Sequence, residues 1–158
     1  MEARAVSDSV TKMSQFMLPG MANPLGSIHG GEIMKMLDNA AVVCAMRHCN
    51  GPVVTISVDN INFFVPIYSG ELSICEAAVI YVGKTAMEIE IQVFVENIIM
   101  RTRKLALVAY FSMVAIDSNF KPVAVPLLLI KSEDEKHKFV QAEERLKQRK
   151  AKLAQTAL

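Results

Sequence analysis

One long apolar helix, followed at once by four strand-like segments, is the feature that most limits what this chain can fold into. From Gly30 to His48, the residues Ile33, Met34, Leu37, Ala41, Cys44 and Ala45 recur at helical spacing, and Asn50-Gly51-Pro52 ends the run. Val53 to Phe64, Glu71 to Val82, Met87 to Val95 and Leu105 to Ile116 are rich in β-branched and aromatic residues, as strands are. Pro66 to Gly70 and Gly83 to Thr85 read as turns, whereas Glu96 to Lys104 reads as a longer polar connection. Short connections favour antiparallel neighbours, and a first strand is expected near Lys12 to Leu18. A lone apolar helix must bury its stripe against something, so the pattern predicts an α+β fold with a sheet wrapped around that helix.

The 158 residues, 52% of them hydrophobic, suffice for a single core, which is expected over residues 1–131. Residues 132–158 form a charged, helix-prone tail in which Phe139, Leu146 and Leu153 are spaced by seven. Three positions do not make a coiled coil, so the tail reads either as a solvated surface helix or as a functional element. A formal net charge of +1 gives no basis for wholesale binding to nucleic acid or an anionic membrane; any anion recognition must be local. Cys44, Cys49 and Cys75 match neither a metal-ligand spacing nor a disulfide framework. Met1 to Gly20 lacks the basic start and apolar stretch of a secretory signal, and no apolar run approaches the roughly 20 residues of a membrane span. A soluble cytoplasmic protein is therefore expected.

Two features of the helix carry chemistry. Asp38 projects to the edge of the apolar stripe, beside Met34 and Ala45, where a carboxylate loses part of its solvation. That placement suits a general base holding a water, and equally suits a boundary aspartate that caps a loop. Ile28-His29-Gly30-Gly31 enters the same helix, whose free N–H groups can polarise a carbonyl while glycine admits close approach; a tight structural entry would look the same. The basic residues Arg101, Arg103 and Lys104, with Lys84 on another turn, can meet phosphates or simply line a solvated loop.

The run Asn23-Pro-Leu-Gly-Ser-Ile-His-Gly-Gly-Glu-Ile-Met-Lys-Met-Leu-Asp38 resembles the signature of the cytosolic acyl-CoA thioester hydrolases, the hotdog-fold family also called brain-type acyl-CoA hydrolases. Val54 to Phe63, Gly83 to Ile89 and Ala115-Ile116-Asp117 resemble that family in order and spacing, and Ala142-Glu143-Glu144-Arg145 resembles its C-terminal stretch. The resemblance implies a hotdog domain over 1–131 and hydrolysis of acyl-CoA to fatty acid and coenzyme A without a cofactor or metal. It implies that Asp38 is the catalytic aspartate, that Asn23 faces it from a partner subunit, and that Gly30 and Gly31 offer N–H groups to the thioester carbonyl. It further implies that coenzyme A runs along Ile56, Ser57, Val58 and Thr85, Ala86, Met87, with Arg145 near the nucleotide. Ala86 departs from the serine many members carry, removing one expected hydrogen bond. A homodimer is the implied minimal unit, and a homohexamer built as a trimer of dimers the implied assembly.

Several alternatives stay open at this level. Asp38 can activate water or form a transient acyl-Asp. A non-catalytic acyl-CoA-sensing module is the alternative function, although it has no need for Asn23 and Asp38 together. Related hotdog dehydratases use a histidine, but His29 sits before the glycines, where ordering the loop is the simpler role. Acyl length depends on how Met34, Met36, Phe63 and Phe64 close the tunnel.

Overall fold

The computed structural model describes residues 1–157. In chain order the elements are β1 (Arg4–Ala5), β2 (Thr11–Phe16), α1 (Gly30–Cys49), β3 (Val53–Phe63), β4 (Leu72–Val82), β5 (Ala86–Asn97), β6 (Thr102–Ala115), β7 (Leu128–Leu129) and α2 (Glu133–Thr156). Short 3-10 turns at Val6–Asp8 and Pro19–Met21 flank β2. The main sheet has five antiparallel strands in the order β2-β4-β5-β6-β3, while β1 and β7 form a small parallel pair beside it.

Burial on one side of α1 explains why it lies against the sheet. Ile33, Met36, Leu37, Ala40, Ala41, Cys44, Ala45 and His48 are all buried, at the three- and four-residue spacing of one helical face. All but His48 meet Met87, Ile89, Ile91 and Val93 of β5 and Leu107, Ala109, Phe111 and Met113 of β6 in a single core. The helix ends where Asn50 turns left-handed, at φ 54°, and its N–H donates to the Met46 carbonyl at 2.8 Å. Asparagine tolerates that conformation better than most residues. Among the described residues, no helix is long and apolar enough to cross a membrane.

The other face of the sheet is covered too. Alternation along β5 turns Glu88 and Glu90 away from α1, and α2 lies over them. Ser132 caps α2 by accepting the Glu135 N–H at 3.1 Å, and an acidic first turn complements the helix dipole. Ala142 is fully buried, and the rings of Phe139 and Tyr81 lie 4.7 Å apart. Ion pairs Lys138–Glu90 (2.9 Å), Arg145–Glu88 (2.9 Å) and Arg149–Asp59 (3.0 Å) tie α2 to two strands. The tail is thus a covering layer of the sheet; of its three heptad positions, Phe139 and Leu146 are half-buried and Leu153 is exposed.

The polar connection expected over Glu96 to Lys104 is much shorter. β5 continues to Asn97 and β6 starts at Thr102, leaving a tight turn in which Asn97 Oδ1 accepts the Met100 N–H at 3.0 Å. Arg103 and Lys104 are strand residues, paired with Glu96 and Val95. Their polarity reflects a solvent-facing sheet end, which in sequence looks the same as a loop.

Candidate active site

The entry to α1 is built by backbone. His29 is the N-cap, its N–H donating to the Met21 carbonyl at 2.9 Å, and its own carbonyl accepts from Glu32 and Ile33 at 3.0 and 3.2 Å. The N–H groups of Gly30 and Gly31, the first two of the helix, have no acceptor among the described residues. A Cβ added at either glycine would meet nothing within 4 Å, so the approach to those donors is open. Unpaired donors at a helix start carry partial positive charge and suit a developing oxyanion.

Asn23 belongs to the loop ahead of that entry. Its Nδ2 donates to Ser27 Oγ at 2.8 Å and its Oδ1 accepts the Leu25 N–H at 2.9 Å, so both ends of the carboxamide are used within the loop. Asp38 is half-buried on the third turn of α1 and accepts a hydrogen bond from Thr55 Oγ1 at 2.7 Å. Eight residues separate Gly30 from Asp38, about 12 Å along the helix axis. A carbonyl bonded to the Gly30 N–H is therefore beyond the reach of a water held by Asp38 of the same chain, since attack needs about 3–3.5 Å between the reacting atoms.

Of the residues expected along coenzyme A, Ile56, Thr85 and Ala86 line one cleft, whereas Ser57, Val58 and Met87 do not. Val54 and Ala86 both pair with Val114, placing the β3 and β5 segments on either side of β6 at one end of the sheet. There a cleft of about 440 Å³ is lined by Ile56, Lys84, Thr85 and Ala86 from the strands and by Lys147 and Lys150 from α2. Met87 is buried in the core and Val58 packs against it, leaving chiefly their backbone for a ligand, and Ser57 Oγ donates to Asp59 Oδ1 at 3.2 Å.

The basic residues do not form one cluster. Arg101, Arg103 and Lys104 lie at the far end of β5 from Lys84, roughly 35 Å away at a strand's rise per residue. Arg103 is bonded to Glu76 at 3.0 Å and stacks 4.3 Å from the centroid of Phe94. Lys12, as the larger influence, and Arg103 hold the Glu76 carboxyl below the usual carboxylate range. Arg145, expected near the nucleotide, turns toward the sheet: its guanidinium is bonded to Glu88 and lies 3.9 Å from the Tyr110 ring centroid. Arg149, which the motifs did not mark, bonds Asp59 and Ser112, linking α2 to β3 and β6.

Burial dominates at two thiols and one carboxyl of the core. It pushes the Cys44 thiol up to about 11 and Cys75 up to about 12, which leaves neither as a thiolate nucleophile at neutral pH. It also raises the fully buried Glu88 carboxyl, against the opposing pull of Arg145. Thr55, the hydrogen-bond donor to Asp38, gives no motif signal, because a threonine within a strand reads first as a β-former.

With this geometry in place, comparison with known proteins assigns the family. The thioesterase superfamily profile matches residues 25–99. The uncharacterized acyl-CoA thioester hydrolase YkhA of Bacillus subtilis is 33% identical over 134 residues, 85% of this chain and 78% of that protein. The cytosolic acyl coenzyme A thioester hydrolase of Rattus norvegicus is 34% identical over 96% of this chain, which spans only 40% of the length of that relative. An apo-hexameric acyl-CoA thioesterase superposes with a TM-score of 0.93, at 32% identity over 98% of this chain and 99% of the other. An acyl-CoA hydrolase of Staphylococcus aureus, solved with butyryl coenzyme A and coenzyme A, superposes at 0.90, with 29% identity over 98% and 94% of the two chains. That enzyme has also been solved with an asparagine, an aspartate and a threonine each replaced by alanine. Their positions are spaced by 15 and then 17 residues, the spacing of Asn23, Asp38 and Thr55. This chain belongs to the acyl-CoA thioester hydrolases, enzymes of the hotdog fold that cleave acyl-CoA to free acid and coenzyme A.

Proposed function

We propose that the thioester is cleaved in a site shared by two copies of the chain: Asp38 of one copy as the base, Asn23, Gly30 and Gly31 of the other around the carbonyl. The observation that carries this reading is the separation of Gly30 and Asp38 along α1, which denies one chain both halves of the chemistry. Asp38, oriented by Thr55, holds a water and takes its proton as the water attacks the thioester carbon. The N–H groups of Gly30 and Gly31 receive the negative charge that develops on oxygen, a contribution of about 3 kcal/mol per donor at comparable sites. Asn23, released from its loop contacts, positions water or carbonyl. The coenzyme A thiolate then leaves and takes up a proton.

The nucleotide end of coenzyme A fits the cleft at Lys84, Thr85 and Ala86, where Lys147 and Lys150 supply further positive charge from α2. Arg145 serves that cleft indirectly, by fastening α2 to the sheet through Glu88. Arg101, Arg103 and Lys104, at the other end of the sheet, can reach a phosphate only in a site completed by another copy. A homodimer is the minimal unit, and a trimer of such dimers agrees with the hexameric relative.

Mixed oligomers test the shared site. Chains carrying Asn23→Ala, combined with chains carrying Asp38→Asn through complete denaturation, would form mixed dimers with one intact site and one doubly defective site. Activity should rise above both parents, to roughly a quarter of wild type at equal mixing, because half the dimers are mixed and each has one good site. No gain despite verified mixing would place the site within one chain.

A further inference from the structure

We propose that His48, in the last turn of α1, is a positioning residue for the nucleotide end of coenzyme A, acting through the strap of chain that leads from β6 to α2. This role rests on the reading of the Lys84 cleft as the seat of the nucleotide, and it supplies what holds the backbone of that lysine.

Between Val123 and Leu127 the strap forms neither helix nor strand, and only Val125 and Pro126 are buried there. Those two residues carry its anchors. The Val125 N–H donates to the Lys84 carbonyl at 3.1 Å, and the Pro126 carbonyl accepts from His48 Nε2 at 2.9 Å. Beside them, the Ala115 N–H donates to the Thr85 carbonyl at 3.1 Å and the Ala115 carbonyl accepts the Val123 N–H at 2.9 Å, so turn and strap both hang on the last residue of β6. The strap then passes through β7, paired with β1, to Ser132, the cap of α2, which brings Lys147 and Lys150 to the same cleft. One strap thus joins both sources of positive charge.

His48 is fully buried, and its Nδ1 has no hydrogen-bond partner among the described residues. Burial lowers its pKa from the ordinary histidine value, so the ring is neutral at neutral pH. A carbonyl can only accept, which assigns the single ring proton to Nε2 and leaves Nδ1 bare. A leucine would bury no orphaned nitrogen, so packing alone favours an apolar residue at this position. What the imidazole adds is the bond to Pro126. Proline has no N–H of its own, so the strap is held at that residue through its carbonyl. With the bond in place, the Lys84 backbone is tied through Val125 and Pro126 to the buried helix, and its side chain reaches for phosphate from a fixed root. Less freedom is then lost on binding.

The test is steady-state kinetics for wild type, His48→Leu, His48→Met, His48→Gln and Lys84→Ala, each with butyryl-CoA and with butyryl-pantetheine, and a melting curve for each. Leucine and methionine fill the space and cannot donate, whereas glutamine can offer an amide N–H to the Pro126 carbonyl. His48→Leu and His48→Met should raise KM for butyryl-CoA roughly three- to tenfold, the factor that one hydrogen bond carries. Their kcat should stay within about twofold of wild type, and butyryl-pantetheine should be indifferent to the change. His48→Gln should bring KM back toward wild type. Folded Leu and Met variants with wild-type KM, beside a raised KM for Lys84→Ala, would overturn the positioning role and leave the nucleotide reading standing. A rise shared equally by both substrates, a Gln variant as impaired as Leu, or a failure of the His48 variants to fold would also overturn it, since each makes His48 a residue of the fold alone. An unchanged KM for Lys84→Ala would instead overturn the nucleotide reading, and the role of His48 with it.

Discussion

Thr55 on the edge strand β3 donates its hydroxyl to Asp38 on α1 across 2.7 Å, joining the two elements through the proposed base itself. The same hydroxyl lies 3.3 Å from Met113 Sδ, but its single proton goes to the far stronger carboxylate acceptor. One carboxylate oxygen is thereby engaged, and the other makes no hydrogen bond among the described residues.

Replacing Thr55 with valine keeps the shape and removes the hydroxyl. The missing charge-assisted hydrogen bond should cost at most about 1.5–3 kcal/mol of thermal stability. Misplacing a catalytic group by about 1 Å can cost roughly 100-fold in rate, so kcat should fall by up to about that factor. Thr55→Ser should recover most of the loss. Steady-state kinetics with butyryl-CoA and a melting curve for each variant decide it; a valine variant with wild-type turnover would show that Asp38 needs no orienting partner.

Asp38→Asn preserves volume and can still accept from Thr55, yet its amide cannot take a proton at neutral pH. The loss in kcat should be about 10² to 10⁴, the usual contribution of a positioned base. Free-thiol release gives the rate, and circular dichroism checks that the fold persists.

Arg145→Ala removes the partner of a fully buried carboxylate. Stranding Glu88 should cost about 3–5 kcal/mol at neutral pH. The pH dependence has a definite sign. Burial raises the Glu88 carboxyl in the folded protein, so the folded state holds that proton more tightly than the unfolded chain. Its contribution to stability is complete below the ordinary carboxylate range and is lost as pH rises through the raised folded value. Without Arg145 that value rises further, so the stability deficit should be smaller at pH 5 than at pH 8, and Glu88→Gln added to Arg145→Ala should recover part of it. Melting curves at the two pH values test this; an equal deficit at both would mean that Glu88 is not the group left stranded.

Lys84→Ala and Lys147→Ala should each raise KM for acyl-CoA several-fold with little change in kcat, because phosphate contacts are made equally in ground and transition states. An acyl-pantetheine, which lacks the adenosine phosphates, should be nearly indifferent. Equal loss on both substrates would remove the nucleotide from that cleft.

Much of the fold that carries the candidate site is legible in the sequence, and the reasons differ by element. The helix from Gly30 and the strands after it announce themselves by apolar periodicity, because burial on one face imposes it. Thr55 gives no such signal: its role depends on β3 lying beside α1, a contact that only the folded chain makes. Glu88 and Glu90 alternate with Met87, Ile89 and Ile91 as residues of a solvent-facing strand side would. In the fold they are covered by a helix whose own basic residues answer them. Periodicity cannot tell a wet polar face from one sealed by ion pairs, so Arg145 carried a ligand expectation while its guanidinium bonds Glu88.

The distance between Gly30 and Asp38 along α1 also bears on how much protein is needed. On the proposed arrangement a solitary chain holds two half-sites and no working one. Specific activity should then fall on dilution below the dissociation constant of the pair and return on concentration, with no change in the folded state of each chain. A chain defective at both Asn23 and Asp38, present in excess, would draw intact chains into pairs with no complete site and silence them, although its own fold is sound.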